Sequence, residues 1–135
     1  MVTTSIEAIL FLDMVGSTAL GSKFGDDLVL QMKERLGNIV NLESNRQKML
    51  FSKGTGDGFM ITFPEAANGA RAAIAIMQRV QEHNAGIAES RALKLRMGLH
   101  FGQVNIDSHG DRQGTSVNFA SRIESAQEEQ FHQTR

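Results

Sequence analysis

The sequence predicts an α+β fold in which helices pack against a mainly antiparallel β-sheet. Three observations predict it: a nearly continuous apolar run near the start, apolar residues at helical spacing after it, and two apolar segments joined by a glycine-rich corner. A chain of 135 residues is long enough to bury a core, and we expect residues 1–135 to form a single domain. Elements of this kind pack as layers, with helices covering the sheet.

The first half of the chain predicts a strand, a helix and a hairpin. The run "IEAILFLDMV" is a buried central strand that ends near Asp13. The glycine-spaced stretch "GSTALGSKFGDD" after it is predicted to be a loop. From Asp26 to about Gln47, apolar residues then recur at helical spacing. The segments "KMLFSK" and "GFMITF" flank the corner "GTGD", a pattern typical of a β-hairpin.

The second half predicts two helices with a strand between them. Pro64 suits the first turn of the second helix. The predicted apolar face of that helix carries Ala66, Ala70, Ala73, Met77 and Val80. The segment "LKLRMGLHF" alternates between apolar and polar residues, which indicates a half-buried strand. After a short arm, a third helix runs from Thr115 to about Glu128. The order predicts a ferredoxin-like βαββαβ sandwich with an added helix.

The chain ends in "EEQFHQTR", directly after the third predicted helix. An antiparallel sheet needs its edges paired or covered. We therefore expect a domain that is truncated after the third helix, with its C-terminal strands missing.

Composition excludes several classes of protein. The net charge is −1 and the basic residues are spread along the chain, so we expect no binding to nucleic acid. The chain has no cysteine, which excludes disulfides and thiol nucleophiles and suits a reducing compartment. No apolar run approaches the ~20 residues of a membrane span. The first residues also lack the features of a signal peptide, so we expect a cytoplasmic protein.

Two aspartates stand at the ends of strands that are predicted to be neighbours. Asp13 ends the first strand, and Asp57 lies in the hairpin corner. The first strand and the hairpin lie side by side in a ferredoxin-like sheet, so the two carboxylates would converge. Together they would form the all-oxygen site that Mg²⁺ prefers. Each aspartate alone is more typical of a turn or a cap, and it is the pair that favours a metal site.

Two further groups of residues are candidates for binding phosphate. One is the set of backbone N–H groups that follow the first strand, those of Met14, Val15, Gly16, Ser17 and Thr18. Successive N–H groups that run toward a helix can cradle phosphate oxygens. The other is Asn118 with Arg122, four residues apart on one face of the third helix. That face is either a solvated polar surface or an amide and a guanidinium aimed at one ligand.

Four ordered motifs resemble the catalytic domain of the class III nucleotidyl cyclases, the adenylate and guanylate cyclases. They are "ILFLDMVGST", "KGTGDGFM", "LRMGLHFGQV" and "GTSVNFASRIES", and they span essentially the whole chain. The short arm between Val104 and Asp111 resembles the compact bacterial members. The resemblance implies an adenylate cyclase that converts ATP to 3′,5′-cyclic AMP and pyrophosphate in second-messenger signalling.

The resemblance also implies a role for each candidate residue. Asp13 and Asp57 would hold two divalent ions, Mg²⁺ or Mn²⁺. These ions would activate the 3′-hydroxyl and bind the triphosphate for in-line attack on the α-phosphorus. Asn118 would orient the ribose, and Arg122 would neutralise charge on the α-phosphoryl group.

Base choice and assembly follow from the same resemblance. Lys53 would donate to adenine N1 and Asp111 would accept from the N6 amino group, which favours ATP over GTP. In this family the metal-binding residues of one chain face the residues that bind the base, the ribose and the α-phosphoryl group on a second chain. We therefore expect a homodimer with two equivalent sites at its interface. We also expect a regulatory or sensor domain in the full-length protein. Arg112 and Gln113 replace the aromatic or apolar residues that are more usual in the family, and they predict a more polar purine pocket.

Two alternatives stay open. A diguanylate cyclase uses the same topology but expects a second acidic residue where this chain has Gly58. A non-catalytic or weakly active cyclase-homology module would instead bind nucleotide or a partner and signal by dimerisation. Gln103, at a position where a basic or small residue is common in the family, favours this second alternative, as do the missing strands.

Overall fold

The computed structural model describes residues 2–133, and the side chains of residues 2–126. The elements in chain order are β1 (Thr3–Met14), α1 (Ser17–Phe24), α2 (Asp26–Arg46), β2 (Phe51–Gly54), β3 (Gly58–Phe63), α3 (Ala66–Asn84), β4 (Leu95–Ile106), β5 (Arg112–Gln113) and α4 (Thr115–Gln133). A 3-10 turn, Glu89–Arg91, precedes β4. The predicted α+β class is confirmed, since helices lie on a wholly antiparallel sheet.

The sheet has the strand order β2-β3-β1-β4-β5, with β1 at its centre. This order places the hairpin of β2 and β3 directly beside β1, as the ferredoxin-like prediction requires. In the register of the sheet, Asp13 pairs with Gly58 of β3 on one side. On the other side Asp13 pairs with Arg96 of β4. The end of β1 is therefore flanked by the hairpin corner and by the start of β4.

The sheet is strongly curled. Lys53 of β2 and Asp111, the residue before β5, contact each other at 2.9 Å between Nζ and Oδ1. Neighbouring strands lie about 4.8 Å apart, so four steps across a flat sheet would separate β2 from β5 by roughly 19 Å. A lysine side chain alone does not span that distance. The two edges of the sheet therefore bend toward each other.

Helices cover both faces of the sheet. The helices α2 and α3 pack on one face, and α4 packs on the other. The first core comprises Ala8, Leu10, Leu12, Met14, Met32, Leu36, Ile39, Val40, Ile61, Phe63, Ala72, Ile76, Val80 and Leu93. The second comprises Ile9, Met60, Val104 and Ala120. Because both faces of β1 are buried, its sequence is a continuous apolar run rather than an alternating one.

Residues 16–27, predicted to be a loop, contain a helix. The helix α1 occupies Ser17–Phe24 and brings the helices among residues 2–133 to four, where the sequence predicted three. Gly16 and Gly25 flank it with φ of 75° and 96°, a region that favours glycine. The glycines therefore mark the ends of a short helix, and the loop prediction was wrong.

The buried face of α3 also differs from the prediction. The helix begins at Ala66, with Pro64 outside it. Its buried apolar positions include Ala72, Ile76 and Val80, whereas Met77 is exposed. The closest approach to the sheet is made by Gly69, where an added Cβ would lie 2.9 Å from Leu99 Cδ1. The predicted face is therefore right at Val80 and at Ala73, which packs partly buried against the core, and wrong at Met77.

None of the helices described over residues 2–133 combines the length and apolar character needed to cross a membrane. The third predicted helix corresponds to α4, which the structure extends to Gln133.

Candidate active site

Asp13 and Asp57 lie at adjacent strand ends, on either side of one backbone contact. Asp13 is the penultimate residue of β1, and Asp57 is the last residue before β3. The N–H of Met14 donates to the backbone carbonyl of Asp57 at 3.0 Å, which ties the end of β1 to the hairpin corner. The strand register that the sequence predicts therefore brings the two acidic residues into one region.

Asp57 has two side-chain partners. The hydroxyl of Ser17 donates to its Oδ2 at 2.5 Å, and the ammonium of Lys33 lies 2.9 Å from its Oδ1. The hydrogen bond from Ser17, followed by the one from Lys33, lowers the pKa of Asp57 below its ordinary value. The carboxylate is therefore ionised at neutral pH. The sequence analysis did not identify Lys33, although it lies among the apolar residues that α2 packs toward the sheet.

Asp13 carries an unsatisfied oxygen. Its Oδ1 is buried and has no hydrogen-bond partner in the described part of the chain, and its Oδ2 lies 3.7 Å from a guanidinium nitrogen of Arg96. A buried carboxylate oxygen without a partner is unfavourable. A bound cation would supply the missing partner, and in the ion-free protein so would a protonated Glu124 beside Asp13.

The residues present fit a divalent ion that binds together with a polyphosphate. Within residues 2–126, no group of three or more His, Cys, Asp or Glu side chains is placed to hold an ion alone. Mg²⁺ typically takes one or two carboxylates and completes its shell with water and substrate phosphates. Asp13 and Asp57 supply that many carboxylates. The N-terminus of α1, next to Ser17, suits the phosphates.

The predicted cradle of backbone N–H groups is narrower than expected. The N–H of Met14 is bonded to Asp57, and that of Val15 donates to the carbonyl of Lys94 at 2.8 Å. These two groups already have backbone partners, so in this structure they are not free to receive a phosphate oxygen. Gly16, Ser17 and Thr18 remain, at the first turn of α1, where helix N–H groups lack partners within the helix.

A cavity of about 380 Å³ opens beside this turn. The polar side chains in its wall are those of Ser17, Thr18, Ser22, Asp26, Lys33 and Asp57. The predicted metal ligand Asp57 and the free N–H groups of α1 thus line the same cavity. An ion and a phosphate group would be held side by side there.

Gly58 leaves no room for a side chain. A Cβ at this position would lie 1.8 Å from the carbonyl oxygen of Leu12 and 2.3 Å from Asp13 Oδ1. Real Cβ atoms do not approach other atoms so closely. A second acidic residue does not fit at this position, which argues against the diguanylate cyclase alternative.

Glu124 is a site residue that the sequence analysis missed. It lies on α4 but is only 3% exposed, and its Oε1 accepts from Arg96 Nε at 2.6 Å. Burial, and then the neighbouring carboxyl of Asp13, raises the pKa of Glu124 to about 7. Glu124 follows Val117 and Ala120 at helical spacing, and an acidic residue in that apolar stripe was the available signal.

Lys53 and Asp111 form a second cluster. The ammonium of Lys53 donates to both carboxylate oxygens of Asp111, at 2.9 and 3.0 Å. Asp111 Oδ1 also accepts from the backbone N–H of Arg112 at 2.8 Å. The two residues that the family resemblance assigns to the purine are therefore partners within one chain, although 58 positions separate them.

Arg112, which follows Asp111, has a side chain that is only 11% exposed. Its guanidinium makes two bonds to Glu7, of 3.0 and 3.2 Å, and donates to the carbonyl of Gly110 at 2.6 Å. It also lies 4.9 Å from the ring centre of Phe51. Burial alone would raise the pKa of Glu7, but hydrogen bonds, that of Arg112 first, outweigh it and lower the pKa.

These contacts change the expected role of the arm. Arg112 was predicted to make the purine pocket more polar, but its guanidinium is occupied by Glu7, Gly110 and Phe51. The side chain of Gln113 donates to Asp107 Oδ2 at 3.0 Å. Both polar side chains therefore hold the arm in place.

Asn118 and Arg122 lie apart from both clusters. Each is exposed on α4, while Ala120 and Glu124 of the same helix face the sheet. Within the described side chains, neither has a side-chain hydrogen bond or ion pair. The structure thus brings together Asp13 with Asp57, and Lys53 with Asp111, and leaves these two residues on the outer surface.

The comparisons with known proteins agree on the family. Residues 3–133 match the family model described as the adenylate and guanylate cyclase catalytic domain. The chain therefore belongs to this family. It is 32% identical over 123 residues to the putative adenylate cyclase 3 of Rhizobium meliloti (strain 1021), covering 88% of this chain and 20% of the relative. The chain thus spans about a fifth of the length of this curated relative.

Solved structures share the fold. The adenylate/guanylate cyclase/hydrolase from Silicibacter pomeroyi superimposes with a TM-score of 0.83 at 25% identity, over 93% of this chain and 73% of that chain. The adenylyl cyclase CyaB from P. aeruginosa gives a TM-score of 0.78 at 23% identity, over 93% and 74%. At that identity, the second likeness supports the fold alone.

Proposed function

We propose that this domain is an adenylate cyclase that converts ATP to 3′,5′-cyclic AMP and pyrophosphate. The observation that supports ATP rather than GTP as the substrate is the contact between Lys53 and Asp111. A fixed donor beside a fixed acceptor suits the N1 and N6 groups of adenine, whereas guanine presents donor and acceptor in the reverse order. The naming of the curated relative supports the same choice.

Metal-dependent chemistry is proposed at Asp13 and Asp57. Two divalent ions, Mg²⁺ or Mn²⁺, would lower the pKa of the 3′-hydroxyl and neutralise the triphosphate. The unsatisfied Oδ1 of Asp13 and the ionised carboxylate of Asp57 support ion binding. The N–H groups of Gly16, Ser17 and Thr18 would orient phosphate oxygens.

Asn118 and Arg122 would complete the site from a second copy of the chain. Both are exposed, and Phe119 and Ile123, which lie beside them, are exposed apolar residues. A homodimer that buries this surface of α4 would present the amide to the ribose and the guanidinium to the α-phosphoryl group. By two-fold symmetry it would form two sites.

A direct assay tests the proposal. The purified chain is incubated with ATP and Mn²⁺, and cyclic AMP and pyrophosphate are quantified, with GTP in a parallel reaction. We expect cyclic AMP in preference to cyclic GMP, and loss of product in Asp13→Asn. Lys53→Met should lower kcat/KM for ATP by about tenfold or more, because it removes the proposed donor to adenine N1.

Two results would contradict it. Equal formation of cyclic GMP would refute the choice of ATP. Nucleotide binding without any cyclic product, at chain concentrations that give a dimer, would instead favour the non-catalytic module.

A further inference from the structure

Lys33 is a charged group that the proposed chemistry does not use. It extends from α2, and its Nζ lies 2.9 Å from Oδ1 of Asp57. The other oxygen of the same carboxylate accepts from Ser17. Lys33 also lines the cavity beside the first turn of α1. An ammonium therefore sits against a carboxylate that is proposed to hold a divalent ion.

We propose that Lys33 holds the Asp57 side of the ion site in the ion-free protein and moves to the polyphosphate of the nucleotide when a divalent ion binds. The inference rests on the proposed function, since it assigns a further binding residue to that site. Lys33 would thus compete with the free ion for Asp57, and it would bind the polyphosphate once the ion is in place.

The first step is the competition at Asp57. An ammonium and a divalent cation that approach the same carboxylate repel each other, and solvent moderates this repulsion because the Lys33 and Asp57 side chains are 39% and 41% exposed. Each Asp57 oxygen has one partner, Ser17 at Oδ2 and Lys33 at Oδ1, and an ion that binds at Oδ1 meets the ammonium there. Binding of the ion therefore displaces Lys33.

The second step is the destination of the displaced ammonium. The side chain of Lys33 is 39% exposed, so it is not locked by packing, and a lysine has a flexible four-carbon stem. The cavity on which it borders also carries Ser17 and Thr18, whose N–H groups lie at the helix N-terminus. A polyphosphate bound there brings negative charge within reach of Lys33. The ammonium of Lys33 would leave the carboxylate of Asp57 and pair with a phosphate group instead.

A purely structural role for Lys33 predicts the opposite change in affinity for the free ion when the lysine is removed. If the lysine only oriented Asp57, its removal would loosen the carboxylate and weaken ion binding. If it competes with the ion, its removal strengthens binding of the free ion and weakens binding of the polyphosphate. The two roles are therefore separable by binding measurements that need no turnover.

The test compares the unchanged chain with Lys33→Met, which keeps the length of the side chain and removes its charge. Binding of Mn²⁺ alone is followed by electron paramagnetic resonance of the free ion, and binding of pyrophosphate in saturating Mn²⁺ by calorimetry. We expect Mn²⁺ affinity to rise by about threefold, the scale of a partly exposed ion pair. Pyrophosphate affinity should fall by about tenfold, the scale of one hydrogen bond to a charged group.

Control variants test whether the effects depend on the position and the charge of Lys33. Lys23→Met removes a lysine that lies over the ring of Phe24 on α1 and does not line the cavity, so both affinities should stay unchanged. Lys33→Arg keeps the charge and should bind Mn²⁺ like the unchanged chain. If Lys33→Met fails to fold, Lys33→Gln provides the same comparison.

Two outcomes overturn the inference: weaker Mn²⁺ binding in Lys33→Met, or no change in either affinity. These results are distinct from failure of the proposed function. The expected shifts without any cyclic AMP would refute the cyclase activity alone, and cyclic AMP formation without the shifts would refute the role of Lys33 alone.

Discussion

Gly58 faces Asp13 across the β1–β3 pair so closely that a Cβ on Gly58 would lie 2.3 Å from Asp13 Oδ1. The same Cβ would lie 1.8 Å from the carbonyl oxygen of Leu12. The close approach of the two strand ends depends on the absence of a side chain at this position. The hairpin corner and the end of β1 therefore constrain each other.

Gly58→Ala should destabilise the domain, because the backbone of β1 has to move away from the hairpin. We expect a loss of about 2–3 kcal/mol in the free energy of unfolding, at the upper end for overpacking. Urea unfolding measures it. Gly54→Ala is the control, since a Cβ there meets nothing within 4 Å, and it should change stability by less than about 0.5 kcal/mol. Equal effects of the two substitutions would contradict the prediction.

Arg112→Met should destabilise the domain because it leaves Glu7 charged and buried. The exposed fractions of the two side chains are 11% and 2%. Removing one partner of such a pair typically destabilises by about 3–5 kcal/mol. Lys94→Met, which breaks the exposed pair with Glu89, is the control and should change stability by at most about 1 kcal/mol. Urea unfolding of both variants at neutral pH gives the comparison.

The Glu7–Arg112 pair also sets a direction for acid sensitivity. Folding lowers the pKa of Glu7 from its ordinary value of 4.5. Its contribution to stability is therefore present above pH 4.5 and is lost as the pH falls through the folded value. Glu7→Gln should flatten that acidic limb of the stability profile, and a limb as steep as that of the unchanged chain would contradict this assignment.

Glu124 should act in the opposite direction. Its pKa rises from 4.5 to about 7 on folding, so between those values the folded chain binds the proton more tightly than the unfolded chain. The free energy of unfolding of the ion-free protein should therefore fall as the pH rises from about 5 to about 8, by up to about 3 kcal/mol from this group. Glu124→Gln should remove this dependence. Parallel pH profiles for the two proteins, measured in urea with a chelator, would show that Glu124 does not titrate in this range.

Mixing two inactive variants tests the proposed division of the site between chains. Asp57→Asn removes a metal ligand, and Arg122→Ala removes the guanidinium of the opposite chain. In an equal mixture half of the dimers are mixed, and each mixed dimer has one intact site. We therefore expect about a quarter of the unmutated activity from two-fold symmetry. A mixture as inactive as its components would contradict the shared site.

The sequence could predict the positions of Asp13 and Asp57, because both are set by local patterns. An apolar run that ends in an acidic residue, and a glycine corner between two strands, indicate where the strand ends lie. The βαββ order then makes those ends neighbours. The shared face of Asn118 and Arg122 could also be predicted from the sequence, since residues four apart on a helix lie on the same side.

The remaining site residues depend on packing between distant elements. Glu124 lies beside Asp13 only because α4 crosses the start of β4. Lys33 reaches Asp57 because α2, which carries it, borders the same cavity as the hairpin corner. Arg112 on β5 meets Glu7 on β1 across the intervening strand β4. Glu124 had a local signal, an acidic residue in an apolar stripe, whereas the contacts of Lys33 and Arg112 have none in the local sequence.

The curl of the sheet has a consequence for how a base would enter. Lys53 and Asp111 satisfy each other in the nucleotide-free chain, so the proposed purine pocket is closed by an internal bond. An incoming base edge has to part the two side chains and then replace the lost partner of each. A base that bonds to only one of the two side chains leaves the other charged group without a partner. Re-formation of the bond between Lys53 and Asp111 would then displace that base. Selectivity would then arise from competition with the protein itself, before any step of the chemistry.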